Sequence, residues 1–216
     1  MRKIIYYCLP PFIYKSFKFI YQSIFETREN ISESVFDGEN LLFKDTLKNT
    51  NFYGEYGVGK STVYVSQNSN NRIISVDSSE KWIESTLSEI KNENSEVELK
   101  FVNIGKIAEW GYPFSYEKKE NFKLYREYIW TKKEKPDFVL IDGRFRVACF
   151  LTCLKFSDKG TKIIFDDYTN RGIYHMVEIF EKPIKTYNRQ ALFVSSGNYD
   201  NQKLDEYISK FEYVFQ

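Results

Sequence analysis

The sequence predicts an α/β fold in which helices cover both faces of a mostly parallel sheet. From residue 51 onward, short apolar runs alternate with segments of helical periodicity, which is the pattern of consecutive βαβ units. A glycine-rich turn follows the first apolar run. The last two apolar runs lie close together with no helical segment between them, so we expect them to pair as an antiparallel hairpin.

Each element of this prediction rests on local periodicity and on turn residues. Strands are predicted near 51–56, 72–76, 98–103, 138–141, 161–165, 184–187 and 191–195. Helices are predicted near 61–67, 80–91, 121–132, 147–154, 174–180 and 201–209. No internal repeat or linker interrupts this order, so residues 41–216 are expected to form one domain, preceded by a helical segment at residues 1–40.

Composition and charge exclude several classes of protein. The chain has 216 residues, of which 42% are hydrophobic and 28% charged, as in folded globular proteins rather than disordered ones. A formal net charge of +1 provides no strong field for holding a polyanion, so we expect no nucleic-acid partner. The cysteines Cys8, Cys149 and Cys153 form no paired framework, which favours buried thiols in a reducing, cytoplasmic compartment.

The N-terminal segment is the most apolar part of the chain. After Pro10 and Pro11, apolar residues recur at helical spacing, at Ile13, Phe17, Ile20 and Ile24. This spacing predicts an amphipathic helix. Two interpretations remain open: the helix packs on the domain or on a second copy of the chain as a homodimer, or it lies on an anionic membrane surface at the inner face of the membrane. The prolines and Lys15 and Lys18 argue against a membrane span.

The glycine-rich turn has two interpretations. Residues 54–61 match the phosphate-loop pattern Gly-x-x-x-x-Gly-Lys-Ser/Thr, in which backbone N–H groups and Lys60 would hold phosphates and Ser61 would hold magnesium. In the second interpretation Glu55 closes the first strand, and Gly57 and Gly59 bend the chain into a helix so that a nucleoside-type ligand can approach the backbone.

Asp77 favours the second interpretation. It lies twenty residues beyond Gly57, at the end of the next predicted strand, where a carboxylate can accept both hydrogen bonds of a ribose diol. A triphosphate loop does not need this acid. The stretch before Gly54 is also a weak candidate for the buried strand that a phosphate loop follows, because it contains Lys48, Asn49, Thr50 and Asn51.

At this point the sequence resembles the class I S-adenosylmethionine-dependent methyltransferases over roughly residues 41–193. The matching segments are Glu55-Tyr-Gly-Val-Gly59, Ser75-Val-Asp77-Ser-Ser-Glu-Lys-Trp82, Pro136-Asp-Phe-Val-Leu-Ile-Asp142-Gly and Ile163-Ile-Phe-Asp166-Asp167-Tyr168. The resemblance implies a three-layer Rossmann-like sandwich, with a mostly parallel seven-stranded sheet and an antiparallel C-terminal hairpin. It also implies S-adenosylmethionine as the cofactor, lying over the carboxyl ends of the first two strands.

The same resemblance implies which residues bind the cofactor. Gly57 and Gly59 would pass beneath its methionine and ribose parts, Asp77 would bind the ribose hydroxyls, and Asn103 matches a position that often contacts adenine. The full set of implied cofactor-binding residues is Glu55, Gly57, Gly59, Ser61, Asp77, Ser78, Asn103 and Asp142.

A divalent metal is a further possibility that the resemblance raises. Asp142, Asp166 and Asp167 resemble the positions at which metal-dependent O-methyltransferases hold an ion, and carboxylates suit Mg²⁺. The lysine that follows the first acid in those enzymes is replaced here by Gly143-Arg144-Phe145-Arg146. The alternative is that Asp166 or Asp167 caps the next segment and pairs with Arg144, Arg146 or Arg171.

Methyl transfer needs an acceptor held in line with the methyl group and a base for its proton. The predicted catalytic residues are Asp142, Asp167, His175 and Arg144. His175 is the single histidine and lies just beyond the fifth strand, and its ordinary pKa suits a base. Arg144 and Arg146 are candidates for bidentate contacts to a carboxylate or phosphate on the acceptor.

The sequence therefore predicts O-methylation of a small or glycan-linked acceptor. A surface-polysaccharide context is suggested by the lysine- and aromatic-rich start with Leu9-Pro10-Pro11, which resembles enzymes of that pathway. Two alternatives stay open: a P-loop nucleotide kinase or NTPase, and a methyltransferase-like binding or scaffold protein without turnover.

Overall fold

The computed structural model describes residues 35–36, 41–91, 96–108 and 111–215. The chain divides into two compact units, residues 1–35 and 36–216, and the second carries every feature below. The amphipathic helix predicted around residues 13–24 lies outside the described residues, as does Cys8. Within the described part of the chain, every helix is too short or too polar to cross a membrane.

The strands form one mixed sheet of the predicted kind. They are β1 (Phe52–Tyr56), β2 (Arg72–Asp77), β3 (Val97–Phe101), β4 (Phe138–Ile141), β5 (Lys162–Phe165), β6 (Lys185–Tyr187) and β7 (Gln190–Val194). The spatial order is β3-β2-β1-β4-β5-β7-β6. The first five strands are parallel, whereas β7 runs antiparallel to both β5 and β6. The predicted Rossmann-like sheet with its antiparallel end is confirmed.

Helices flank the sheet close to their predicted places. They are α1 (Leu41–Leu47), α2 (Lys60–Asn68), α3 (Glu80–Glu89), α4 (Phe122–Glu127), α5 (Arg146–Phe156) and α6 (Asn201–Phe211). The helix predicted at 121–132 is shorter, because its last turn tightens into the 3₁₀ segment Tyr128–Trp130. The helix predicted at 174–180 is the 3₁₀ helix Gly172–Ile179. Short 3₁₀ segments of this kind commonly serve as connectors.

The middle of the sheet is its most deeply buried part. All four residues of β4 are fully buried, as expected for a strand with neighbours on both sides and helices on both faces. Helix α5 packs into this core, and Cys149 and Cys153 are buried within it as free thiols. Burial raises the pKa of both thiols, so these two cysteines have the structural character that the sequence predicted.

The parallel strands place their carboxyl ends along one edge. Tyr56 at the end of β1 pairs with Val76 of β2 and with Ile141 of β4, and Ile141 pairs with Phe165 of β5. The turns after these four strands are therefore neighbours. In open α/β sheets this is the edge at which ligands bind.

Candidate functional site

Two glycine turns pack backbone against backbone at this edge. Gly57 has a φ of +93°, and a Cβ there would lie 2.9 Å from the backbone carbonyl atoms of Asp142. A Cβ on Gly143 would lie 2.7 Å from the nitrogen of Gly57. At Gly59, by contrast, a Cβ would meet nothing within 4 Å. The turn is tight on the side that faces β4 and open at Gly59.

This geometry does not fit a phosphate loop. Gly54, the first glycine of that pattern, lies within β1, where it pairs with Ile74 and Val139. The segment between β1 and α2 is only residues 57–59, which is too short to wrap phosphates. Ser61 is buried and donates its hydroxyl hydrogen bond to Glu55, so it is not directed at a magnesium ion.

The two glycines of the turn should respond differently to alanine. Gly57→Ala forces a side chain into a positive φ and against backbone atoms, so we expect the free energy of unfolding to fall by about 2 kcal/mol. Gly59→Ala should change it by less than about 0.5 kcal/mol. Urea unfolding of both variants measures this contrast, and equal stabilities would contradict the packing of the turn against β4.

Asp77 is held rigidly beside this turn. One carboxylate oxygen accepts a hydrogen bond from the backbone N–H of Val58 at 2.8 Å, and the other accepts one from Ser79 at 2.7 Å. Burial raises the pKa of Asp77, although these backbone N–H groups partly oppose the rise. Each oxygen keeps a second lone pair. The carboxylate is therefore oriented in advance for accepting two further hydrogen bonds.

A hairpin-like loop covers the end of β2. Ala108 donates to the carbonyl of Tyr112 at 2.7 Å, and Phe114 donates to that of Lys106 at 2.8 Å. Gly111 rests on Ser78, whose hydroxyl lies 3.4 Å from the Gly111 carbonyl. Ser78, one of the residues predicted to contact the cofactor, is therefore buried under this loop.

Asn103, another residue predicted to contact the cofactor, is exposed at the start of the same loop. Its side-chain oxygen accepts a hydrogen bond from Gly105 at 2.9 Å, and its carbonyl accepts one from the Asn121 side chain at 2.7 Å. These bonds hold the backbone after β3 and leave the side-chain nitrogen directed away from them.

Glu55 and Ser61 lie in the interior rather than at the open edge. Glu55 is fully buried and accepts hydrogen bonds from the hydroxyls of Ser61, Thr62 and Ser75. Burial raises the pKa of Glu55 to about 7, even though these hydroxyls favour the ionised form. The two residues therefore fasten the ends of β1, α2 and β2 beneath the glycine turn, and their role is to shape it rather than to touch a ligand.

Arg146 ties the ends of β4 and β5 together. Its side chain is only 4% exposed and lies 2.7 Å from a carboxylate oxygen of Asp142 and 3.4 Å from one of Asp167. It also donates to the backbone carbonyls of Gly143 and Asp166, at 3.1 and 2.9 Å. Nearly all of its donors are in use, so Arg146 is not free to hold an acceptor, contrary to one expectation from the sequence.

The remaining acids of the edge also face arginines. Asp167 lies 2.7 Å from Arg171, and Asp166 lies 3.0 Å from Arg189. Among the described residues, no group of three or more histidine, cysteine or acidic side chains is arranged to hold a metal. Because guanidinium groups stand where a cation would, the donor set does not fit a divalent metal. The predicted alternative was pairing with Arg144, Arg146 or Arg171. Arg146 and Arg171 form such pairs, no ion pair among the described residues involves Arg144, and Arg189 was missed.

Asp142 is suited to exchange a proton near neutral pH. Burial raises its pKa, the charge of Arg146 lowers it, and Asp166 and Asp167 raise it again, to about 7. One oxygen, Oδ1, faces Arg146, and the side chain as a whole remains 32% exposed. The carboxyl group of Asp142 is therefore partly accessible at this edge.

Arg144 and Tyr112 form a stacked pair above the same edge. The Arg144 guanidinium lies 4.2 Å from the centre of the Tyr112 ring, and its backbone N–H donates to the Tyr125 hydroxyl at 3.1 Å. Burial acts to raise the pKa of Tyr112, but Arg144 and Arg171 outweigh it and the pKa is lowered. Sequence reasoning named neither Tyr112 nor Tyr125 as a site residue. For the turn Glu109-Trp110-Gly111-Tyr112-Pro113 it left two interpretations open, an aromatic surface for a sugar or a packed loop.

His175 contacts Tyr168, which follows Asp167 in the sequence. It is exposed on the 3₁₀ helix Gly172–Ile179, with Nε2 3.1 Å from the carbonyl oxygen of Tyr168 and its ring 4.7 Å from that of Tyr168. The structure brings Asp142, Asp167 and Arg144 to one edge but joins His175 to Tyr168 instead. Its surroundings are those of a structural hydrogen-bonding residue.

Comparison with known proteins gives structural matches only. No protein-family profile and no functionally curated protein matches the sequence. A solved methyltransferase-like protein from Silicibacter pomeroyi is similar in fold, with a TM-score of 0.75 and 26% identity over 85% of this chain and 96% of that chain. An SAH-bound (S-adenosylhomocysteine-bound) methyltransferase from Podospora anserina has a TM-score of 0.54 and 11% identity, over 88% and 99%.

A methyltransferase from Geobacter sulfurreducens has a TM-score of 0.50 and 12% identity, over 87% of this chain and 93% of that one. These matches span nearly the whole of each solved chain. The chain has the Rossmann-like fold of the class I S-adenosylmethionine-dependent methyltransferases.

Proposed function

We propose that this protein transfers a methyl group from S-adenosylmethionine to a hydroxyl oxygen of a small or glycan-linked acceptor. The observation that carries the proposal is the carboxylate of Asp77, oriented by the N–H groups of Val58 and Ser79 beside the open turn at Gly59. The fold shared with the methyltransferase-like protein of Silicibacter pomeroyi and with an SAH-bound methyltransferase supports the choice of cofactor.

The residues at the edge suggest how the reaction is served. Asp77 would accept the two ribose hydroxyl hydrogen bonds, and Gly59 leaves room for the ligand beside the turn. The cofactor, when bound, supplies a methyl group on a positively charged sulfur. The Asp142 carboxylate would take the proton of the acceptor hydroxyl, because a carboxyl group with a pKa near 7 can accept a proton at neutral pH and release it again.

The wider biological setting is also part of this proposal. The N-terminal segment, with Leu9-Pro10-Pro11 and its lysines, supports a role in surface-polysaccharide metabolism, either through a homodimer or through contact with the inner face of the membrane. The unpaired cysteines support a cytoplasmic location. Liposome flotation of the full chain, compared with a chain that begins at Glu26, separates membrane contact from the other roles of this segment.

Thermal shift with two ligands tests the proposed chemistry. S-adenosylhomocysteine at about 100 times its dissociation constant should stabilise the protein by about 2.7 kcal/mol, whereas Mg-ATP should produce no shift. Lys60 is exposed, so Lys60→Ala should respond like the unaltered protein. A response to Mg-ATP alone, lost in Lys60→Ala, would reverse the proposal. Cofactor binding without transfer to any hydroxyl acceptor would favour a binding protein without turnover.

A further inference from the structure

We infer that the acceptor carries an anionic group, a carboxylate or a phosphate, which Arg144 binds together with Tyr112 and Arg171. This inference rests on the proposed function, because it names the class of acceptor that the same site would take. It gives the contact between Arg144 and Tyr112 a function in binding the acceptor.

Arg144 is buried without a carboxylate partner. The residue is only 6% exposed, and its Nη1 has no hydrogen-bond partner. The other arginines of this edge form ion pairs with carboxylates: Arg146, Arg171 and Arg189. Among the described residues, no ion pair involves Arg144. The arginine side chain stays charged when it is buried, because its guanidinium does not lose its proton in proteins. A buried charge without a partner destabilises the folded state. A ligand that brings a negative charge would remove this cost.

The nearest acid does not take the place of that ligand. The charge of Arg144 lowers the pKa of Asp77, in opposition to burial, so the two groups are close enough to interact. Both oxygens of Asp77 are nevertheless held by backbone N–H groups, and no ion pair within 4 Å links Asp77 to Arg144 in the described chain. The proposed site therefore lies next to the ribose carboxylate and is separate from it.

The geometry of the stack favours an anion with paired oxygens. The central carbon of the Arg144 guanidinium lies 4.2 Å from the centre of the Tyr112 ring, and in this planar fork of N–H donors Nη1 has no hydrogen-bond partner. Such a fork matches the oxygens of a carboxylate or a phosphate. Arg171 adds a second positive charge. Its side chain is 38% exposed, and its charge, like that of Arg144, lowers the pKa of the Tyr112 hydroxyl.

The position of this anion site suits acceptor recognition. Arg144 follows Asp142 by two residues, on the turn that carries the proposed proton acceptor. An acceptor anchored there by its charge would present a neighbouring hydroxyl to Asp142. A glycan-linked acceptor of this class would contain a uronic acid or a sugar phosphate, and a neutral sugar would lack the anchoring group.

Three probes distinguish the possible sources of the charge. Binding of inorganic phosphate, methyl glucuronide and neutral methyl glucoside to the full chain is measured by thermal shift, with and without S-adenosylhomocysteine, at constant ionic strength. We expect at least one of the two anions to bind, which identifies phosphate or carboxylate as the preferred group. No shift with either anion, or an equal shift with methyl glucoside, would overturn the inference.

Variants then locate the binding. Arg144→Met should weaken binding of the preferred anion at least about tenfold, and Arg171→Gln should weaken it less. The matched control is Arg72→Gln, which removes an arginine from the other end of β2, where it pairs with Glu96. The control should bind the anion normally. Equal affinities in Arg144→Met and in the control would overturn the inference.

Stability and cofactor binding provide independent readouts. Without ligand, Arg144→Met should change the melting temperature little, because removing an unpaired buried charge offsets the loss of the contact with Tyr112. A large loss of stability would mean that Arg144 has an internal partner, and it would contradict the inference.

Arginine-dependent anion binding without any binding of S-adenosylhomocysteine would refute the proposed function alone. Cofactor binding with an anion response that does not depend on Arg144 would refute only this inference.

Discussion

Arg146→Gln is expected to lower the free energy of unfolding by about 3–5 kcal/mol at pH 9, where Asp142 is ionised, because it leaves the carboxylates of this edge without their shared partner. Arg146 is the ion-pair partner of Asp142 and also lies close to Asp166 and Asp167. The other two acids keep Arg189 and Arg171. Asp142 would lose its only ion pair among the described residues while its acidic neighbours remain.

The loss should depend on pH in a defined direction. The pKa of Asp142 is already raised to about 7, and Arg146 opposes that rise. Without Arg146 the folded-state pKa should be higher still, so the folded state binds a proton that the unfolded state releases. Relative to the unaltered protein, the variant should therefore regain most of its lost stability as the pH falls from about 9 to about 7, since below that pH both proteins carry the proton.

Urea unfolding at both pH values measures these effects. The control is Arg72→Gln, whose arginine forms partly exposed ion pairs with Glu96 and Glu134 and should cost only about 0–1 kcal/mol. A loss of the same size in the control and in Arg146→Gln would show that the cluster at the carboxyl edge has no special role in stability.

Asp77→Asn is expected to weaken binding of S-adenosylhomocysteine by about 100-fold or more. A carboxylate can accept hydrogen bonds from both ribose hydroxyls, whereas asparagine offers one neutral oxygen and an NH₂ group that repels a donor. Losing one charge-assisted hydrogen bond and weakening another costs roughly 2–4 kcal/mol, which corresponds to this loss of affinity. Isothermal titration calorimetry measures the dissociation constant directly.

The chain contains a closely matched control for this experiment. Asp137 also accepts hydrogen bonds from two backbone N–H groups, those of Asn51 and Phe52, but at the opposite end of β1. Asp137→Asn should therefore disturb the backbone in a comparable way and leave cofactor affinity unchanged. Equal affinities in Asp77→Asn and in the unaltered protein would show that Asp77 does not bind the ribose.

Much of the fold could be predicted because its signals are local. The runs that became β4 and β5 are short, apolar and bounded by polar residues, and the hairpin of β6 and β7 follows from two strands joined by the short turn at Asn188 and Arg189. These features need no knowledge of distant parts of the chain. The tightening of 128–130 into a 3₁₀ turn was not predicted, since element ends depend on packing.

The site could be predicted only in part. Gly57 and Asp77 were found because a turn and a strand end have local signatures, and the structure places both at the same edge. Glu55 was assigned to the ligand, although the structure buries it under three hydroxyls. A strand-end acid has the same sequence signature whether it faces the ligand or the interior, so only packing distinguishes the two.

The sequence by itself determined the order of strands and helices, the glycine turn and the acid at the end of β2, because periodicity and turn preference act over a few residues. Only the tertiary structure decided how the charges pair. Arg189 lies beside Asp166 from 23 positions away, and Arg146 lies between Asp142, Asp166 and Asp167. Such pairings depend on distances of a few ångströms between turns of different strands, and the spacing of residues along the chain does not specify those distances.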